Sequence, residues 1–134
     1  MENCIFCKIV DGIIPSCTLY EDDDFKVIPD AFPSGLGHTL IFPKKHVADI
    51  FALDEETAAK LFTLATRMAK SVQQALSCDG INILQNNGEA AGQTVFHFHL
   101  HIIPRYKGDD VKIAWKHHPQ SQTAIAAFLE KFDY

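Results

Sequence analysis

Gly92-Gln93-Thr94-Val95-Phe96-His97-Phe98-His99-Leu100-His101-Ile102-Ile103 is the stretch on which the reading of this chain turns. A polar, glycine-containing opening gives way to alternation, and Pro104 follows. Period-two alternation predicts a strand from Thr94 to Ile103, stopped by Pro104. His97, His99 and His101 then share one face, while Phe96, Phe98, Leu100 and Ile102 share the other. The apolar row needs something to pack on; the imidazole row looks toward a cleft or another element. Three imidazoles in line admit three readings: a solvated polar face, a zinc site built on strand histidines, or nucleophilic catalysis with one imidazole attacking and its neighbours orienting and protonating. The flanking residues favour the third. Gly92 lets backbone approach a ligand and aim an N–H at a phosphate oxygen, and Thr94 adds a hydroxyl. Histidines, amides and a hydroxyl converging on one spot suit a phosphoryl group.

The partner for the apolar row is the clearest helix in the chain, from about Asp54 to Ser77. Leu61, Leu64, Ala65, Met68, Val72, Ala75 and Leu76 recur at three- and four-residue spacing, which puts them on one face. Asp54 is a good N-cap, Glu55 and Glu56 suit the positive first turn, and Asp79-Gly80 closes the helix. Upstream, 17–21 and 24–29 read as a hairpin across the acidic turn Glu21 to Asp24. His38 to Phe42 reads as a strand stopped by Pro43, and 4–10 as one or two helical turns. Gly80 to Gln85 is a short strand, 86–93 a polar loop, and 120–132 a minor helix with Ile125, Phe128, Leu129 and Phe132 on one side. Short strand-to-strand connections imply a mainly antiparallel sheet and the α+β class.

The composition sets outer bounds. The chain has 134 residues, 47% hydrophobic and 22% charged, with a formal net charge of −5. That describes one globular domain. It argues against a nucleic-acid module, which carries a basic face, but not against a small phosphorylated ligand. No run is apolar and long enough to span a membrane, and the N-terminus carries no secretion signal. Both point to a cytoplasmic protein. The four cysteines, at 4, 7, 17 and 78, are too few for a disulfide scaffold, which leaves thiols or metal ligands. Cys4 and Cys7 have a chelating spacing that needs two further ligands to make a zinc site.

These elements together resemble the histidine triad (HIT) superfamily. The stretch Gly92 to Ile103 looks like its His-x-His-x-His signature. CIFCKIVDGIIP (Cys4 to Pro15), Tyr20-Glu21-Asp22, Pro29-Asp30, His38 to His46 and Asn86 are similar to its Hint and bacterial Hit-like branch. The likeness fades after about residue 107, leaving one HIT domain over 1–134 with a divergent tail. The resemblance implies an about five-stranded antiparallel sheet with one long helix and short flanking helices, and a homodimer. It implies hydrolysis of a purine nucleoside 5′-phosphoramidate or related AMP conjugate at the α-phosphate, through a covalent nucleotidyl-histidine on His99 and with no cofactor needed for catalysis. By the same carry-over His101 contacts the phosphate and helps protonate the leaving group. Asn86, Gly92, Gln93 and Thr94 hold phosphate oxygens or the leaving atom, and Asp30 takes the ribose hydroxyls. Ile5, Phe6, Ile9, Ile14 and Ile28 form the purine pocket, and His38 orients the triad. His46 and His97 would complete a structural zinc site with Cys4 and Cys7.

The family often has Ser where this chain has Thr94, and its transferases have proline within the motif where this chain has Phe98 and Leu100, which leans toward hydrolysis. Gln93-Thr94 and Pro104-Arg105 resemble the Fhit branch, so dinucleoside polyphosphate hydrolysis is the rival activity; a nucleotide- or zinc-binding interaction protein is the rival class. Trp115 would cap the leaving-group pocket or pack on the sheet edge. Exposed loop is the reading for His117 and His118.

Overall fold

A computed structural model describes residues 3–134 of the chain. Five strands, β1 (Tyr20–Glu21), β2 (Phe25–Pro29), β3 (Thr39–Pro43), β4 (Gly80–Gln85) and β5 (Leu100–Arg105), form one sheet. Their spatial order is β1-β2-β3-β5-β4, with every neighbouring pair antiparallel. Three helices accompany it: α1 (Ile5–Val10), α2 (Glu55–Leu76) and α3 (Gln122–Lys131). The α+β class and the five-stranded antiparallel sheet with one long helix are as the sequence predicts.

Alternation along the strands decides which residues meet which layer. Phe25 and Val27 of β2, Ile41 of β3, and Leu100 and Ile102 of β5 point to one face, where Leu61, Leu64 and Ala65 of α2 cover them. Ile28, Leu40 and Phe42 point to the other face and pack with Phe6 and Ile9 of α1. Coverage on both sides explains why β2 and β3 read as nearly unbroken apolar runs. β5 lies between β3 and β4, so the His101 that it carries belongs to the middle of the sheet.

The ends of α2 follow local chemistry. Asp54 accepts the Thr57 N–H at 2.9 Å, as an N-cap should. The helix ends at Ser77 and Gly80 opens β4 as expected, but the cap differs: Ser77 itself takes the left-handed region at φ 51, and its N–H donates to Gln73 O. Ala75 lies on the exposed side of the predicted stripe.

The histidine strand is shorter than predicted. Both ladders to β5 begin at Leu100, opposite Ile41 of β3 and Gln85 of β4. Residues 94–99 therefore have no flanking strand; Phe98 donates instead to Val47 O in a loop. Phe98 joins the core while Phe96 is half exposed, against the expectation that they share a buried face. Pro104 does not end the strand. It pairs with Ile81 of β4, and β3 has already left the ladder at Thr39 opposite Ile102. Its missing N–H thus falls where no acceptor remains on that side.

The tail is the least packed part of the chain. Ser121 caps α3 by accepting the Ala124 N–H, but Phe128, Leu129 and Phe132 stay exposed on the helix. Trp115 is 79% exposed, so within this chain it neither caps a pocket nor packs on the sheet edge. The chain exposes 9567 Å², against roughly 7,000 Å² for a globular chain of this size.

Candidate functional site

The site lies on the sheet face opposite α2. A cavity of about 300 Å³ opens there, lined by Ile5, Phe6 and Ile9 of α1, Ile28 and Leu40 of the sheet, Asp30, Thr94, and His99 and His101. Most residues singled out in the sequence thus converge on one space. Ile14 does not line it; it packs at the edge of the apolar cluster behind α1. Ala31 and Phe32 do line it, and nothing in the sequence distinguished these loop residues. Asn86, Gly92 and Gln93 sit to one side, in the loop that leads into the histidine segment. Asn86 reaches across to Gly92 O, and the Gly92 N–H is used within its own turn by Glu89 O. The Gln93 side chain is fully engaged inside the loop. It accepts the Gly88 N–H and donates to Ala48 O and Val95 O, so it clamps the backbone on either side of Thr94.

What each histidine can do follows from its second ring nitrogen. The fully buried His97 (0% exposed) donates Nε2–H to Pro43 O at 2.7 Å. Its Nδ1 is then the unprotonated nitrogen. His99 donates Nδ1–H to His97 O at 2.7 Å, which leaves the Nε2 lone pair of a neutral imidazole free. Phe6 holds the His99 ring edge-on, with ring centres 5.1 Å apart. The Ser34 N–H donates to His38 Nδ1 at 2.9 Å. His38 therefore carries its proton on Nε2 and donates it to His101 Nδ1 at 2.9 Å, so the neutral His101 carries its own proton on Nε2. The donors and acceptors at Ser34, Pro43 and residue 97 are backbone groups, which no side-chain pattern could have signalled.

Burial keeps these rings neutral. It pushes the His101 pKa down to about 4, helped by the neighbouring His99 and His38. Burial is also the main cause of the lowered values of His99 and His38, while the Asp30 carboxylate pulls both the other way. Asp30 Oδ1 accepts the Phe32 N–H, and Oδ2 lies 3.2 Å from His38 Nε2.

Among the described residues, two side-chain clusters are compact enough to enclose a cation, and the tautomers separate them. In the first, Cys4 Sγ lies 3.3 Å from His97 Nδ1, Cys7 Sγ 3.4 Å from His46 Nδ1 and 3.6 Å from His97 Nδ1, and the two Nδ1 atoms are 3.2 Å apart. A zinc tetrahedron with ordinary Zn–N and Zn–S bonds has edges of roughly 3.3–3.8 Å. The bond from His97 Nε2 to Pro43 O presents the ligating nitrogen unprotonated, as a second-sphere acceptor should. This set fits zinc. In the second, Asp30, His38 and His101 are equally close, but the Ser34 N–H forces the His38 proton onto the nitrogen aimed at the cluster. That set is a hydrogen-bonded chain. Arg105, the other residue that resembled the Fhit branch, is held by Asp109, Asn82 and Val111 O.

Comparison with known proteins follows the same lines. The HIT domain model matches residues 11–108, the span that contains the sheet, α2 and the three histidines. The chain belongs to the HIT domain family. Protein hit of Bacillus subtilis is 45% identical over 118 residues, covering 87% of this chain and 81% of that protein. Adenylylsulfatase HINT3 of Arabidopsis thaliana is 40% identical over 108 residues, covering 81% of this chain and 55% of that protein. The crystal structure of a Zn-bound histidine triad family protein from Mycobacterium smegmatis superposes with TM-score 0.78 at 38% identity, covering 97% of both chains. The family is of the nucleotide-binding and hydrolase kind. Among the described residues, no helix of this HIT protein is long and apolar enough to cross a membrane.

Proposed function

We propose that this HIT protein hydrolyses purine nucleoside 5′-phosphoramidates or related AMP conjugates at the α-phosphate, with His99 as nucleophile. The observation that carries the reading is the bond from His99 Nδ1–H to His97 O, which leaves Nε2 of a cavity-lining imidazole as a free lone pair. Attack by Nε2 on the α-phosphorus breaks the bond to the leaving group and forms a nucleotidyl-histidine. Water then attacks the same phosphorus and passes a proton to the His101 ring that has protonated the leaving group; the P–N bond to His99 breaks, and the nucleoside monophosphate leaves. His101, with a proton on Nε2 supplied with orientation by His38, donates at the leaving atom, and the negative charge of a bound phosphate favours the protonated ring there.

The walls supply the rest of the recognition. The apolar side chains of Ile5, Phe6, Ile9 and Ile28 suit a flat base. Asp30 and Thr94 also line the cavity; in this reading Asp30 accepts from the ribose hydroxyls and Thr94 donates to the phosphate. Zinc on Cys4, Cys7, His46 and His97 would supply a structural cross-link between the N-terminal segment and the sheet. The uncovered apolar side of α3 and the large exposed area support a homodimer in which a second copy covers the tail.

The test is AMP release from adenosine 5′-phosphoramidate by the wild type and by His99→Ala, each with and without a chelator. Loss of a covalent nucleophile costs several orders of magnitude in rate. A wild-type rate that collapses in the variant but survives brief chelation is the expected result. Activity unchanged by His99→Ala would sink the assignment. Parallel assays with a diadenosine polyphosphate decide the leaving-group class.

A further inference from the structure

The short helix α1 has two sides, and they serve different sites. Cys4 caps its N-terminus, with Sγ accepting the Cys7 N–H, and both thiols face His46 and His97. One position away on each side, Ile5 and Phe6, and a turn later Ile9, line the cavity assigned to the purine. Phe6 stacks on Phe42 with ring centres 4.5 Å apart and meets the edges of both His97 and His99. A helix of six residues does not hold its shape alone. Phe6 and Ile9 hold its buried side in the apolar cluster, and Cys4 and Cys7 hold its N-terminal cap.

We propose that Cys4 and Cys7, through the metal they hold with His46 and His97, are positioning residues for the purine, so that metal occupancy and nucleotide affinity are coupled through α1. The inference rests on the metal and nucleotide readings given above. With the two thiols tied to the sheet, Phe6 and Ile5 are fixed as one wall of the base pocket. With the thiols released, the N-terminal turn frays, and binding a base must order it again. Linkage then requires the reverse effect in equal measure: a bound purine nucleotide must tighten the hold on zinc. The phosphate and ribose contacts lie on other elements, at Asp30, Thr94, His99 and His101, so a ligand without a base does not load α1.

The experiment uses the full zinc-loaded chain, with its zinc content measured first. AMP binding is titrated calorimetrically before and after metal removal, with far-UV circular dichroism recording that the fold persists. Zinc retention against a competing chelator is measured without ligand, with AMP, and with ribose 5-phosphate at matched site occupancy. AMP affinity is expected to fall about tenfold or more on metal removal, within the usual range for coupled sites. AMP should raise zinc retention by a similar factor, and ribose 5-phosphate should leave it unchanged. The retention arm reads the coupling even if the metal-free chain unfolds, because it starts from the loaded protein. AMP affinity within twofold in a folded metal-free chain, or equal protection by ribose 5-phosphate, overturns the coupling and leaves both parent readings standing. A purified protein without zinc overturns the metal reading, and one that binds no AMP overturns the nucleotide reading; each takes the coupling with it.

Discussion

Gly37→Ala isolates a piece of backbone on which the site depends. Gly37 sits at φ 90, immediately before the His38 that bonds to His101. A Cβ there would lie 2.2 Å from Leu76 Cδ1 and 3.1 Å from Pro104 Cγ. Two costs add. Holding a non-glycine residue in the left-handed region costs about 1–2 kcal/mol. Leu76 Cδ1 is the end of a flexible side chain, so it can turn away, at a further ~0.5–1.5 kcal/mol. The expected loss is therefore about 1.5–3.5 kcal/mol. At a urea m-value of ~1–3 kcal/mol/M, that moves the midpoint down by at least about 0.5 M. Gly35→Ala is the control, because its Cβ meets nothing within 4 Å and its backbone lies outside the left-handed region. Gly37→Ala combined with Leu76→Ala removes the contact with Leu76 Cδ1, while the backbone cost and the tight contact with Pro104 Cγ stay. Urea titrations at one fixed protein concentration read all four chains. Equal midpoints for Gly35→Ala and Gly37→Ala would refute the reasoning.

Three further outcomes follow from other parts of the molecule. The buried His99 stays neutral to lower pH than a free imidazole. With the p-nitrophenyl ester of AMP, whose leaving group needs no proton, kcat/KM at pH 5.5 should remain clearly above the tenth or so expected of an imidazole with the ordinary pKa near 6.5; a profile falling with that ordinary value refutes the burial argument. Ser77→Gly should stabilise the chain by about 1 kcal/mol by relieving the left-handed α2 terminus, read as a melting point higher by several degrees, and an unchanged one would show that Ser77 bears no strain. A chain ending at Lys112 keeps β5 and the Arg105–Asp109 pair but loses α3, so under the proposed homodimer the full chain should sediment as a pair and the shortened one as a monomer; a monomeric full chain would refute the dimer, and equal association constants would refute the role of α3 in it.

The parts of the fold legible in the sequence are those whose neighbours it names. The α2 stripe at Leu61, Leu64 and Ala65 and the β5 row at Leu100 and Ile102 predict each other, and they meet in one core. Period two also placed His101 and Ile102 on opposite sides of the sheet. The reading fails at residues 94–99 because a strand needs a ladder. Whether one exists depends on where β3 and β4 end, not on the alternation of the segment itself. Pro104 misleads for the same reason: proline stops a strand only where a neighbour awaits its N–H. Ser77 illustrates a different limit, since the left-handed turn fell on a serine and left Gly80 to open β4. In the site, the side chains were legible but the groups that orient them were not. Ser34 N–H, Pro43 O and His97 O are backbone atoms with no signature of their own.

Those backbone atoms divide one repeated residue type between two tautomers and three sets of neighbours. His97, His99 and His101 recur at a spacing of two and start with equal claims on zinc, phosphorus or a proton. Each is committed by the partner of one ring nitrogen. Pro43 O takes the Nε2 proton of His97 and frees Nδ1 toward the thiols. His97 O takes the Nδ1 proton of His99 and frees Nε2. His38, fixed by Ser34, gives to Nδ1 of His101 and leaves a proton on Nε2. His97 and His101 thus share the Nε2–H tautomer and differ in what their Nδ1 faces, thiols for one and His38 for the other, while His99 alone carries its proton on Nδ1. The irregular run before Leu100 matters for this reason. In a regular ladder the carbonyl of residue 97 would be offered to a neighbouring strand; outside the ladder it is available to the imidazole two residues on.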